Sequence, residues 1–166
     1  MIYSIEPISE QYIEAFNQAV DSVAREQKYL AFLKGPSMAM TREFVMTNVR
    51  DGWPHFIALS EDKLVAWCDI TSLNREAMAH TGCLGIGVLS GFRSQGIGKQ
   101  LIEIALNAAK EKGLLRVELT VRENNTRAIS LYKKMGFIVE GLHHKAIKIG
   151  DTFENHISMA LLFDEC

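Results

Sequence analysis

The sequence predicts a single mixed α/β domain over residues 1–166, with a mostly antiparallel sheet of about seven strands and four helices. Three observations carry this reading. Period-two apolar alternation recurs from HFIALS to the long segments near the end of the chain, and such alternation marks strands. Apolar residues at helical spacing mark the helices between them. The stretch Leu84–Leu101, LGIGVLSGFRSQGIGKQL, runs from an apolar strand through a basic, glycine-bearing loop into an amphipathic helix. The order strand, two helices, three strands, helix, strand, helix, two strands allows parallel pairing only around that central crossover.

Residues 2–7, IYSIEP, alternate as a first strand stopped by Pro7. Ser9 is expected to cap a helix over Glu10–Arg25, with Tyr12, Phe16, Ala19, Val20 and Val23 along its stripe. The connection Glu26–Met40 carries Tyr29, Phe32 and the break Gly35-Pro36, and Thr41 is the expected cap of a second helix reaching Val49. Gly52-Trp53-Pro54 turns the chain into a hairpin of HFIALS and KLVAWCDIT. Strand parity there puts Trp67 and Asp69 on one face and Ala66, Cys68 and Ile70 on the other. Asn74–Thr81 reads as a loop, followed by a central strand from Gly82 to Leu89. Gly85 and Gly87 weaken a strand interior, so a ligand or a tightly packed helix is expected against the backbone there.

The long helix after the loop ends at Gly113. Leu115, Val117, Leu119 and Val121 alternate as the next strand, and Asn125 opens a helix closed by Gly136. Phe137–Ile149 and Thr152–Phe163 flank Gly150-Asp151 as a final hairpin. Edge strands of that length are seldom left bare, which suggests pairing across a homodimer.

A chain of 166 residues with 48% hydrophobic and 23% charged residues is an ordinary globular composition. A formal charge of −2 argues against a general nucleic-acid binder, which would show a basic face. No apolar run reaches the ~20 residues of a membrane span, and MIYSIEPISE lacks the basic and apolar regions of a secretory leader. A cytoplasmic location is the expectation. Cys68, Cys83 and Cys166 are an odd count without Cys-x-x-Cys spacing, and the first two read as small buried hydrophobes within strands. His143-His144 and His156 have no carboxylate or thiol at ligand spacing, so no metal is expected.

A strand that feeds a helix through a glycine loop aims unpaired backbone N–H groups and the positive end of the helix dipole at one point, which is an anion site. Arg93 and Lys99 add charge there, while Gly96 and Gly98 remove the Cβ atoms that would hold a phosphate off the backbone. The P-loop fails as an explanation because Gly96 is followed by Ile97 rather than by Lys. A dinucleotide fingerprint lacks its third glycine, since Leu101 stands at that position, and its acidic residue would be Glu118, inside a strand.

Arg93-x-x-Gly96-x-Gly98, after a strand ending in Val88, resembles the pyrophosphate loop of the GNAT superfamily of acyl-CoA N-acyltransferases. Asn125-Thr-Arg-Ala128-Ile-Ser-Leu131-Tyr132-Lys-Lys-Met-Gly136-Phe137 resembles the second cofactor-side motif of that family, in the expected order and at the expected distance. The resemblance runs from Leu64 to about Phe163 and implies the GNAT fold with a splayed central parallel pair. It also implies acetyl-CoA as acetyl donor. Arg93, Ser94, Gln95, Gly96, Ile97, Gly98 and Lys99 would hold its diphosphate. Ile86, Gly87 and Val88 would hold its pantetheine arm in the strand gap, the Asn125 side chain would anchor the pantetheine amide or an ordered water, and Ala128 and Tyr132 would also contact the cofactor.

The same resemblance implies direct transfer to an amine, with the Val88 N–H stabilising the oxyanion and Tyr132 protonating the departing thiolate. Without the motif around it, Tyr132 would read as a core aromatic. A glutamate that many members carry near the positions of Gly82 and Leu84 is missing. His80, Asp69 or a water relay could serve as base, although ligation of neighbouring backbone at the strand end is the reading preferred for Asp69. Tyr29 and Phe32 stand in the connection that walls the acceptor pocket in the family, although packing beneath that loop accounts for them equally. Glu140-Gly141 and Ser158-Met159-Ala160 resemble the branch containing small-molecule amino-acid acetyltransferases. A small primary amine is the expected acceptor, with a protein N-terminus and a catalytically silent CoA sensor as the alternatives.

Overall fold

The computed structural model describes residues 2–164, so Cys166 lies outside the described residues. Its strands are β1 (Ser4–Pro7), β2 (His55–Ser60), β3 (Lys63–Ser72), β4 (Thr81–Val88), β5 (Arg116–Arg122), β6 (Ile138–Ile149) and β7 (Thr152–Leu162). Its helices are α1 (Ile13–Arg25), α2 (Met38–Asp51), α3 (Ile97–Glu111) and α4 (Thr126–Lys134). The strands form one seven-stranded sheet in the order β1-β2-β3-β4-β5-β7-β6. Every pairing is antiparallel except β4 with β5.

Each face of the sheet has its own core. Ala66, Cys68, Ile70, Leu84, Val117 and Leu119 pack against α3 and α4, where Ile97, Leu101, Ala105 and Tyr132 are buried. On the opposite face Ile57, Leu59 and Trp67 pack against Phe16, Val20 and Val23 of α1 and Val45 of α2. The two faces of β3 therefore follow the predicted parity.

Several local expectations change. A 3₁₀ turn over Glu10–Tyr12 precedes α1, and Ser9 makes no side-chain cap. Helix α2 starts earlier than predicted, because the Ser37 hydroxyl accepts from Met40 N and caps it. Thr41 is instead buried one turn inside, where its hydroxyl accepts from Asn17 Nδ2 at 2.8 Å. Cys68 is buried as expected, but Cys83 is exposed, because α1 and α2 do not extend over that end of β4.

Gly85 and Gly87 are explained by side chains of the adjacent strand rather than by a helix. A Cβ at Gly87 would overlap the buried Trp67 ring, and one at Gly85 would stand 3.2 Å from both carboxylate oxygens of Asp69. The register pairs these residues directly, Trp67 with Gly87 and Asp69 with Gly85.

Candidate active site

β4 pairs with β5 only from Thr81 to Cys83, opposite Arg116 to Glu118. Beyond that the strands part, and a gap opens between the second half of β4 and the end of β5. His80 O, at the start of β4, accepts from Leu115 N on the β5 side, while Leu89 N donates to Val65 O of β3, both at 2.9 Å. Alternation between these two points turns the backbone groups of Ile86 and Val88 toward the gap. They are the strand edge that an extended ligand could pair with.

After Val88 the chain makes a short 3₁₀ turn over Ser90–Phe92 and enters α3. Ser94 at φ 68° and Gly96 at φ 83° both lie in the left-handed region, an unusual conformation for Ser94. Gly96 is the N-cap of α3 and supplies no side-chain cap, so the N–H groups of the first turn, from Ile97 to Lys99, have no capping partner. No atom lies within 4 Å of where a Gly96 Cβ would be, and a Gly98 Cβ would meet only the tips of Ile86, Val88 and Leu131. A diphosphate fits this cradle: it offers orphan donors, a helix N-terminus and open space.

The cleft holds about 580 Å³ and runs from this loop along α4 and through the strand gap to Val23 and Tyr29 on the far side. Ile86, Gly87, Val88, Arg93, Ser94, Gly96, Ile97, Gly98, Lys99, Asn125, Ala128 and Tyr132 all border it. Gln95 does not, because its amide turns back to Gly91 O at 3.2 Å. Phe92, Arg127, Ser130, Leu131 and Lys134 line it without having been anticipated. On α4 the spacing Arg127, Ser130, Leu131, Lys134 was the signal available for them.

Arg93 borders the cleft, yet its guanidinium is engaged elsewhere. It donates to Val88 O at 2.8 Å and to both Glu26 oxygens at 2.9 and 2.6 Å, and it lies 4.4 Å over the Tyr29 ring. That leaves Lys99, Arg127 and Lys134 as the nearer side-chain cations for an anionic ligand. Arg127 also donates to the Ser94 hydroxyl, which joins α4 to the loop.

Asn125 caps α4 through Oδ1, which accepts from Ala128 N at 3.3 Å. Tyr132 is buried, 7% exposed, with its ring 5.9 Å from that of Phe137. Burial, with a smaller contribution from Cys68, pushes its phenol above the ordinary value, so it stays protonated at neutral pH. Asp69 is 7% exposed, and its carboxylate makes no hydrogen bond with any described residue. It therefore does not ligate strand-end backbone. Burial lifts its carboxyl from 3.8 to about 7. His80 is exposed, at the opposite end of β4 from Val88, about 26 Å away along an extended chain.

On the far side a second arginine organises the α1–α2 connection. Arg122, 2% exposed, donates to Gln27 O and Leu30 O, each at 2.6 Å, and to Glu154 at 3.2 Å. Tyr29 borders the cleft beneath Arg93, whereas Phe32 is 55% exposed. His143 and His156 form an edge-on ring pair 4.7 Å apart, and no cluster of ligating side chains that could hold a metal occurs among the described residues.

Residues 17–137 match the model of the acetyltransferase (GNAT) family. The chain belongs to the GNAT family. The L-amino acid N-acetyltransferase of Escherichia coli is 31% identical over 107 residues, 61% of this chain and 64% of that protein. A ribosomal-protein alanine N-acetyltransferase of the same organism is 32% identical over 76 residues, 46% of this chain and 51% of that protein. The chain thus spans less than two thirds of the length of the curated relatives it matches. A GNAT phosphinothricin acetyltransferase from Sinorhizobium meliloti, solved with acetyl-CoA, superposes with a TM-score of 0.90 at 17% identity, covering 98% of this chain and 89% of that one. That likeness shows the shared fold: a seven-stranded sheet with one parallel pair and four helices. No helix among the described residues is long and apolar enough to cross a membrane.

Proposed function

We propose that this GNAT chain is one N-acetyltransferase domain, residues 1–166, that moves the acetyl group of acetyl-CoA to the primary amine of a small molecule such as an amino acid. The observation that carries the reading is the cleft itself. One continuous space joins an anion cradle at Gly96–Lys99 to the strand edge at Ile86 and the Val88 N–H and to a protonated phenol at Tyr132.

Acetyl-CoA supplies an activated thioester as the acetyl source. The loop amides with Lys99 and Arg127 would bind its diphosphate, and the backbone of Ile86 and Val88 its pantetheine amides. The Val88 N–H would then face charge that develops on the carbonyl oxygen. Tyr132, held neutral by burial, would give its proton to the leaving sulfur. Asn125 orients α4 and so Tyr132. Access from the Tyr29 side admits an acceptor without displacing the donor, which suits direct attack in a ternary complex.

The match to an amino-acid acetyltransferase supports a small acceptor. We place the enzyme in the cytoplasm, and the open edge of β6 offers a surface on which a second copy could pair. The test is thiol release from acetyl-CoA, corrected for hydrolysis, across amino acids, polyamines and peptides with free N-termini. Saturable turnover with a free amino acid or amine supports the reading. Turnover confined to peptides would assign a protein N-terminus instead, and CoA binding with no turnover would assign a sensor.

A further inference from the structure

The proposed reaction needs a group to take the proton of the acceptor ammonium, and β4 carries no side chain for it. Gly85 stands where the strand gap opens, just past Cys83, the last residue paired with β5. The Asp69 carboxylate fills the space a Gly85 side chain would take, with both oxygens 3.2 Å from that Cβ position. It thus lies across the face of the central strand although it belongs to β3.

Neighbours along the register set its exposure. Trp67 beside Gly87 is buried under α1, and Cys83, opposite Thr71, is open to solvent. Asp69 sits between them, at the border of the covered and open parts of this face. Asp69 itself does not line the cleft, but Gly87, two residues beyond its register partner Gly85, does.

Other carboxylates of these elements are engaged in ion pairs. Glu26 is paired with Arg93, Glu118 and Glu140 with Arg116, and Glu154 with Arg122. Asp69 pairs with no cation among the described residues. His80 is too distant to compete.

We infer that Asp69 is the general base, accepting the ammonium proton through one bridging water while the amine nitrogen approaches the thioester carbon. The nitrogen forms the new C–N bond as the C–S bond breaks. The first ammonium proton passes to Asp69 and on to solvent. The second leaves the tetrahedral nitrogen and restores the phenol of Tyr132, whose own proton has gone to sulfur. The products are the amide, the free thiol of CoA and one proton.

Burial gives Asp69 a proton affinity matched to this work, with its carboxyl near 7. The titratable groups around it are His55 opposite it on β2, Cys68 beside it and Cys83 on β4. His55 is held neutral by burial, and both thiols are pushed up, so none carries charge at neutral pH. The buried residues of α1 and α2 are uncharged.

The inference rests on the acetyltransfer reading, and the Asp69→Asn variant tests it separately. With the amine the wild type uses best, the variant should bind acetyl-CoA normally while kcat at pH 7 falls by about 100-fold or more. Its kcat/KM should lose the inflection near pH 7 and climb until the acceptor amine itself deprotonates. An active wild type with a variant of equal rate and unchanged profile would overturn this inference alone. A wild type silent with every amine would overturn the acetyltransfer reading and this inference with it. Should the variant fail to fold, the carboxyl carbon of Asp69 can be titrated by NMR in the wild-type protein. A midpoint near 7 supports the role, and one below 5 overturns it.

Discussion

Arg93 and Glu26 form a two-bond ion pair, at 2.6 and 2.9 Å, across the mouth of the cleft. Arg93 follows the turn after β4 and also holds Val88 O, whereas Glu26 opens the α1–α2 connection. The pair therefore links the strand that would bind the acetyl donor to the segment that would wall the acceptor side. Both side chains are less than a third exposed, so the bonds are only partly screened.

Replacing Arg93 by Gln should lower stability by about 1–3 kcal/mol, since Glu26 and Val88 O lose charged donors. KM for the amine should rise more than KM for acetyl-CoA, because the loop amides still hold the diphosphate. Denaturant unfolding and two-substrate kinetics check both. A cofactor KM that rises while the acceptor KM stays fixed would return Arg93 to the phosphate.

Tyr132→Phe removes one oxygen and keeps the ring against Phe137. The expected outcome is a kcat lowered by about 10²-fold or more with acetyl-CoA affinity nearly intact. An unchanged rate across neutral and alkaline pH would remove Tyr132 from the acid role.

Gly96 stands at φ 83° over open space. A valine there incurs about 1–2 kcal/mol of backbone strain and puts a branched side chain into the cradle. Calorimetric titration should show loss of CoA binding in a variant that remains folded. Normal affinity would contradict the loop as the diphosphate site.

His55 and Asp69 make opposite contributions to the pH dependence of stability. The His55 Nδ1 accepts from Asn48 at 3.1 Å, Nε2 is buried without a partner among the described residues, and burial lowers the imidazole from 6.5 to about 3. Unfolded His55 binds a proton that the folded form refuses, so this contribution is present above 6.5 and lost as pH falls, by about 1.4 kcal/mol per unit. Asp69 is raised, so the folded form keeps a proton the unfolded chain has released between 3.8 and about 7. Its contribution falls as pH rises through that window. Relative to wild type, Asp69→Asn should gain stability from pH 5 to pH 8, and His55→Gln should lose the decline below 6.5. Parallel curves for wild type and both variants in urea would contradict these assignments.

The order of strands and helices was legible because each element carries its own period, and the glycine-bearing turn into α3 because glycines, charge and a helix start coincide in one stretch. Local competition was harder to read. Ser37 and Thr41 are both plausible caps, and only the burial of Thr41 against Asn17 decides between them. What escaped the sequence is pairing across long separations. Nothing near Arg93 announces Glu26, nothing near Arg122 announces the carbonyls of Gln27 and Leu30, and Gly87 gives no hint that Trp67 occupies its face. Such contacts arise from register and from the path of the α1–α2 connection, which local periodicity does not encode. Arg127 and Lys134 were within reach, since they share a helical stripe with Ser130 and Leu131.

Main-chain amides at the start of α3 are proposed to grip the diphosphate of acetyl-CoA and leave its thioester beside Tyr132. A crystal structure of the protein with acetyl-CoA measures this directly. Diphosphate oxygens are expected within hydrogen-bonding distance of the Gly96–Lys99 amides, pantetheine along Ile86 and Val88, and the sulfur next to the Tyr132 hydroxyl. Coenzyme bound away from that loop, or sulfur remote from Tyr132, would contradict it.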